Sequence, residues 1–183
     1  MTKENVRLLE LETRKKIYAR IKDRPGVYMR ELERDTGISI GQLTYHLSLL
    51  VKANLVKEEI DGRFNRFYPL GLSDYDRKIL PLLRRPVLRK IILLILKKKS
   101  ITNKELSENM FLSPATISWY IKTLKESNLI NIENRGNEII LSLKDEDEIV
   151  KILIAYKESF LDKIVEKFLE TWDGNFQNKI HIE

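Results

Sequence analysis

Gln42, Thr44, Tyr45 and Ser48 occupy one short run in which Leu43, Leu47 and Leu50 recur at helical spacing. With those leucines turned inward, at about 100° per residue, Gly41, Tyr45, Ser48 and Lys52 point outward and Gln42 and Thr44 flank them. The chemistry of that face is base-edge recognition. A glutamine amide pairs bidentately with adenine, hydroxyls meet bases or phosphates, and an aromatic edge packs on a thymine methyl or a sugar. A second run repeats the pattern: Ile117, Ile121 and Leu124 inward leave Ala115, Thr116, Trp119 and Lys122 outward, with Ser118 beside them. Covalent and metal chemistry find no comparable set. Cysteine is absent, the two histidines are His46, beside the apolar face, and His181, and no glycine-rich phosphate loop, nucleophile elbow or triad is present. His46 reads as a satisfied, partly buried histidine rather than a metal ligand. The acidic run Asp145 to Glu148 reads as helix-capping acids. Neither an enzymatic role nor a cofactor has residues to support it.

Both faces belong to a larger repeat. Arg14 to Pro69 aligns with Leu88 to Leu143 at a constant offset of 74, placing Ile17 on Ile91, Glu31 on Glu105, Ser39 on Ser113, Asn54 on Asn128 and Gly62 on Gly136. In the first copy, Thr13 precedes a helix that Pro25-Gly26 stops. Met29 to Thr36 is a second helix closed by Gly37, and Ser39 caps the third, which carries the polar face. Leu55 to Ile60 and Arg63 to Tyr68 then flank Asp61-Gly62 as a two-stranded hairpin. In the second copy Pro86, Thr102 and Ser113-Pro114 open the three helices, and a second hairpin turns at Arg135-Gly136-Asn137. A third helix leading into a hairpin is the winged-helix order. Ser73 caps a connecting helix, Asp74 to Leu83, whose Ile79, Leu80 and Leu83 are expected to join the domains stiffly. Ile149, Leu153, Tyr156, Phe160, Ile164, Phe168 and Trp172 predict one long helix of about seven turns, ended by Asp173-Gly174 and followed by a loose end, Asn175 to Glu183.

The expected fold is mainly α with small β-hairpin wings: two tandem winged-helix domains plus a long C-terminal amphipathic helix. The domains are residues 1–72, then 73–144 including the linker helix, then the 145–183 tail. Net charge is +6 over the 183 residues, divided as +4, +7 and −5 among those segments, so a polyanion is drawn to the repeats and repelled by the tail. Phosphate contacts are expected from Arg30 and Lys104 in the short second helices, while Arg63 and Arg66 at the first wing are expected either to enter a minor groove or to grip phosphate, with a smaller contribution from Arg135 at the second wing and the caps Ser39 and Ser113 close by. The tail is a candidate for homodimerisation or for docking the transcription machinery, or else it folds back on its own domains. No signal peptide or membrane-spanning run is visible, and without cysteine the composition fits a cytoplasmic protein.

The runs GQLTYHL with DGRFNRFYP, and SPATISWYIKTL, resemble the two halves of archaeal tandem winged-helix transcriptional regulators related to the ArsR and MarR groups, including euryarchaeal activators of archaellum genes. The likeness covers about residues 10 to 143. It implies sequence-specific binding of double-stranded promoter DNA through the third helix and wing, and so through Gln42, Thr44, Tyr45, Arg63, Thr116, Ser118 and Trp119. The cysteine ligands of metal-sensing ArsR proteins are missing. The principal alternative is a tandem winged-helix scaffold for protein contacts, of the chromosome-segregation or complex-assembly kind. Two recognition helices are expected to reach successive major-groove faces about 34 Å apart.

Overall fold

A computed structural model describes residues 3–136, 138–160 and 163–171, and the chain divides into two compact units after Pro81. The first unit runs α1 (Lys3–Leu9), α2 (Glu12–Asp23), β1 (Val27–Tyr28), α3 (Met29–Thr36), α4 (Ile40–Lys52), β2 (Val56–Asp61), β3 (Phe64–Pro69) and most of α5 (Asp74–Leu83). The second runs α6 (Pro86–Lys98), β4 (Ser100–Thr102), α7 (Asn103–Met110), α8 (Pro114–Glu126), β5 (Ile130–Arg135), β6 (Glu138–Leu143), α9 (Glu146–Ala155) and α10 (Lys163–Thr171). Mainly helical, with one small antiparallel sheet in each unit, the fold is that of two winged helices in tandem. Among the described residues no helix is long and apolar enough to cross a membrane.

The repeat is a repeat of core. Ile17, Ile21, Val27, Leu32, Leu43, Leu47, Leu50, Leu55, Val56 and Phe67 form the buried cluster of the first unit. Each has a buried apolar partner 74 residues on: Ile91, Ile95, Ile101, Leu106, Ile117, Ile121, Leu124, Leu129, Ile130 and Leu141. Backbone features keep the same register. Asn54 and Asn128, both left-handed, follow the third helices, and Gly62 and Gly136 turn the two hairpins with φ of 62° and 60°. Ser39 and Ser113 cap α4 and α8 as expected, each hydroxyl accepting the amide three residues on, from Gln42 and Thr116.

Three features depart from the sequence reading. Each wing belongs to a three-stranded sheet, because β1 pairs with β3 (Val27↔Phe67, Tyr28↔Arg66) and β4 with β6. Two or three residues are too few for alternation to announce a strand. Gly26 delivers the chain to that pairing. Its φ is 78°, its N–H bonds the Phe67 carbonyl at 2.8 Å, and a Cβ there would come within 3.0 Å of the Tyr68 ring. At the N-terminus, α2 starts at Glu12 rather than after Thr13, with α1 ahead of it, because extended Leu11 breaks the two helices apart.

The tail is not one helix of seven turns. α9 ends at Tyr156, whose φ of −121° leaves the helical region, a 3-10 turn follows at Lys157–Ser159, and α10 begins at Lys163. Burial explains the break. Ile149, Val150, Ile152, Leu153, Phe160, Val165 and Phe168 are all covered, so the chain bends to keep its apolar stripe on its own unit. Buried Arg89 of α6 fixes the bend: its guanidinium donates to the carbonyls of Leu83 and Phe160 and lies 5.6 Å from the Phe160 ring. The helix end expected at Asp173-Gly174 and the loose end after it lie outside the described residues.

Candidate nucleic-acid interface

α4 is placed by its leucines and by a charged brace behind it. Asp35, in the last turn of α3, accepts from Arg20 at 2.6 Å and from Arg24 at 2.8 Å, and Lys16 donates to the Thr36 carbonyl at 2.6 Å, so α2 grips the end of α3. Burial pushes the Asp35 carboxyl up, but the hydrogen bonds and charges of Arg20 and Arg24 outweigh it and hold the group below its ordinary value. In the second unit Asn109 stands in place of Asp35, and what the two units share is the helix start, where in the first the Tyr28 amide donates to Glu31 at 2.9 Å. Glu105 and Thr102 form a reciprocal cap, and Lys98 reaches Glu105 at 3.0 Å. The Thr102 amide, then Lys98, lower the Glu105 pKa.

On α4 the expected face is outward. Gln42, Thr44, Tyr45, Ser48 and Lys52 are all exposed, Tyr45 by 61 %. The Thr44 and Ser48 hydroxyls donate to the carbonyls of Ile40 and Tyr45, both at 2.8 Å, leaving their lone pairs to accept from base amino groups. Gln42 adds a planar amide with a donor and an acceptor side by side, its oxygen 3.4 Å from the Ser39 hydroxyl that donates to it. His46 sits one residue beyond Tyr45, its ring 5.1 Å from the tyrosine ring. It is partly buried, but its Nδ1 is enclosed without a hydrogen-bond partner among the described residues, so this nitrogen is not satisfied as expected. Burial, then the charge of Arg14, lowers its pKa.

α8 presents the same geometry with other side chains. Thr116, Ser118, Trp119 and Lys122 are exposed, Trp119 by 53 %, and Ser118 donates to the Pro114 carbonyl at 2.9 Å. Tyr120 backs Trp119 edge-on at 4.9 Å, as His46 backs Tyr45. Arg85, which sequence reasoning missed, places its guanidinium 5.4 Å from the indole centroid. No spacing rule connects positions 85 and 119, so only the fold could reveal that pair.

The cations divide into two kinds. Arg30, Arg63 and Lys104 are exposed and make no ion pair among the described residues. Lys122 and Arg135 are exposed but paired, with Glu126 at 3.8 Å and Glu133 at 3.2 Å. Arg66 departs from its expected place at the wing surface. Only 4 % exposed, it donates to Asp61 at 2.5 Å, to the Gly26 carbonyl at 2.9 Å and to the Tyr28 hydroxyl, with its guanidinium 4.1 Å from the Tyr28 ring centroid. Pairing of β1 with β3 sets Tyr28 opposite Arg66 and turns the arginine inward, so it braces the wing and leaves the candidate interface. The wing tip instead exposes two residues the sequence reading passed over, Ile60 and Phe64.

Residues 11–80 match a family model described as an N-terminal HTH domain, and residues 84–131 match one described as winged helix-turn-helix DNA-binding. An uncharacterized HTH-type transcriptional regulator of Methanocaldococcus jannaschii is 30 % identical over 135 residues, which are 73 % of this chain and 34 % of that protein. The chain thus spans about a third of the length of that curated relative. Among solved structures, HlyU from Vibrio cholerae is similar at a TM-score of 0.41, with 17 % identity over 46 % of this chain and 90 % of its own. NolR from Sinorhizobium fredii is similar at 0.39, with 26 % identity over 48 % and 92 %. A helix-turn-helix model thus matches each half of the chain, and 135 of its residues are similar to part of an archaeal HTH-type transcriptional regulator.

Proposed function

We propose that the protein is a sequence-specific, double-stranded DNA-binding transcription regulator that reads bases with α4 and α8 and grips phosphates from α3, α7 and the first wing. One observation carries the reading: two net-positive modules hold out, in identical register, a polar helix face centred on a large exposed aromatic residue, Tyr45 and Trp119. Gln42 and Thr116 are the first candidates for base contacts, Thr44, Ser48 and Ser118 accept from amino groups, and Arg30, Arg63 and Lys104 serve the backbone. Ser39 and Ser113 act through their caps, by orienting the first turns of α4 and α8. Lys122 and Arg135, each shared with a glutamate, contribute less. Among the described residues of the tail's stripe, Ile149, Leu153, Phe160 and Phe168 are buried within their own unit, which favours folding back over dimerisation through that stripe.

The test is selection of duplexes from a random-sequence library with the full chain, followed by a salt titration of the recovered site. If about six phosphates are engaged, log K falls against log salt with a slope near −5. The double variant Gln42→Ala, Tyr45→Ala is expected to abolish preference for the selected site while leaving weak, salt-dependent binding. Absence of any enriched sequence, or a flat salt dependence, overturns the reading.

A further inference from the structure

The first wing carries two large apolar side chains in water at its tip. Ile60 is 82 % exposed and Phe64 57 %. In the register of β2 and β3, Ile60 faces Asn65 and Asp61 faces Phe64, so Ile60 and Phe64 protrude from opposite faces of the hairpin. Arg63 lies between them at the turn, with no ion pair among the described residues. The tip is also held rigidly. Phe64 rests on the Tyr28 ring at 5.2 Å, the Arg66 guanidinium covers Tyr28, and Asp61 is tied to that guanidinium. Behind them Arg77 reaches Glu59 at 2.7 Å.

Among the described residues the tip of the second wing is less apolar, with Ile139, paired with Asn134, 40 % exposed. The residues 74 positions on are Asn134 for Ile60, Glu138 for Phe64, Ile140 for Arg66 and Thr102 for Tyr28. Sharing a fold, the wings differ in what their tips can enter.

We infer that the first wing is a minor-groove wedge that bends the DNA, an activity that rests on the DNA-binding reading above. A hairpin bearing side chains on both faces is about 10 Å thick, whereas the minor groove of B-DNA is about 6 Å wide. It cannot enter without opening the groove. Arg63 supplies the charge that draws the tip to the groove floor, and Ile60 and Phe64 offer apolar surface to the two sugar walls and the base step between them. Prising the minor groove open in this way kinks the duplex toward the major groove. The step that yields most easily is a flexible pyrimidine–purine one, so the selected site carries TA or CA/TG at a fixed distance from the bases read by α4. Glu138 is repelled by the phosphates, which keeps the second wing out and makes the bend one-sided.

The experiment places the library-selected site at the centre and at the ends of duplexes of about 150 bp, one persistence length, and measures bending by permuted gel mobility, with end-to-end energy transfer on a duplex of about 25 bp holding the same site. The intact chain is expected to bend the site by some tens of degrees, within the roughly 20–90° of apolar wedges. Ile60→Ser alone is expected to remove about half of the bend, and Ile60→Ser with Phe64→Ser most of it, with affinity falling less than about tenfold because the phosphate and α4 contacts remain. Asn134→Ala, which leaves Glu138 in place, leaves the bend unchanged. A bound but straight duplex, or a double variant that bends as much as the intact chain, overturns the wedge and leaves the DNA-binding reading standing. A double variant that loses self-association, with the bend unaltered, also overturns it by making the patch a contact between copies. Failure of the intact chain to bind any duplex sinks the reading beneath it as well. Ile60→Ser keeps the test valid should Phe64→Ser disturb Tyr28, since Ile60 lies almost wholly in solvent.

Discussion

The two repeats have the same core and different polar chemistry, and the contrast shows which residues make a winged helix and which make it do something. Every member of the first buried cluster has an apolar counterpart at the offset of 74, with size exchanged freely among Val, Leu, Ile and Phe. Burial tolerates such exchanges when volume and pattern are kept. The bracing is not conserved between the copies: Asp35 with Arg20 and Arg24 is replaced by Asn109, Leu94 and Lys98, and the buried Arg66 by Ile140. Nor are the outward faces: Gln42 becomes Thr116, Tyr45 becomes Trp119, Ser48 becomes Lys122 and Lys52 becomes Glu126. One scaffold has been fitted with two surfaces, and the first is the richer in unpaired cations and apolar wing residues.

The comparison is broken most severely at Asp35. Asp35→Asn strips the countercharge from Arg24, whose side chain is only 7 % exposed, and is expected to destabilise the first unit by about 3 kcal/mol, as when one member of a buried pair is removed. Asn109→Ala, at the matching place, should change the second unit by less than about 1 kcal/mol. Denaturant unfolding with hydrogen exchange on α2 and α6 separates the two. Acid reads the same brace. The Asp35 carboxyl titrates lower folded than unfolded, so its contribution is complete above the ordinary carboxylate pKa of about 3.9 and disappears as pH falls through the depressed folded value.

Base reading comes next. Gln42→Ala is expected to cost about 1–3 kcal/mol on the selected site and to relax preference at one base pair. Thr116→Ala should cost less, since a single hydroxyl replaces a bidentate amide; competition binding against single-base variants of the site measures both.

Backbone strain sharpens the contrast at a smaller scale. The turn before the third helix uses Gly37 in one copy and Phe111 in the other, both left-handed, and Phe111 is 92 % exposed, so its ring contributes little to the core. Phe111→Gly is expected to stabilise the second unit by about 1 kcal/mol and Gly37→Ala to destabilise the first by a similar amount. Space does not explain the second effect, because a Cβ on Gly37 would meet nothing within 4 Å. Thermal melts of the full chain decide the signs.

Two smaller effects follow from charge. Arg63→Ala should reduce the salt slope by about 1, and Arg135→Ala by less, its charge being shared with Glu133. His46, whose folded pKa is depressed, favours the unfolded state when protonated. Its penalty is absent above the ordinary histidine value of about 6.5 and grows as pH falls toward the folded value. His46→Gln should flatten the melting temperature of the first unit across that window.

Leucine and isoleucine spacing, the caps Ser39, Thr102 and Ser113, and the glycine turns at Gly62 and Gly136 were legible in the chain because each is a local signal with a local cause. So was the outward direction of Tyr45 and Trp119, which follows from helical period once the leucines are turned in. Arg66 was misplaced because its direction depends on Tyr28, a residue 38 positions away that only strand pairing brings opposite. The break at Tyr156 escaped because the apolar period is continuous through it, and the bend is imposed by the surface the tail must cover and by Arg89 from another helix.

By itself, then, the sequence determined the duplication, the third helix leading into a wing, the sign of the charge on each part, and the residues turned outward from α4 and α8. These depend on periodicity and composition, which act within a few turns of chain. Only long-range packing decided that Arg66 is buried against Tyr28, that Ile60 and Phe64 stand on opposite faces of the first wing, that Arg85 lies by Trp119, and that the tail folds back in pieces. Each of those depends on groups far apart in the chain meeting under the constraint that buried polar atoms find partners and apolar stripes find cover.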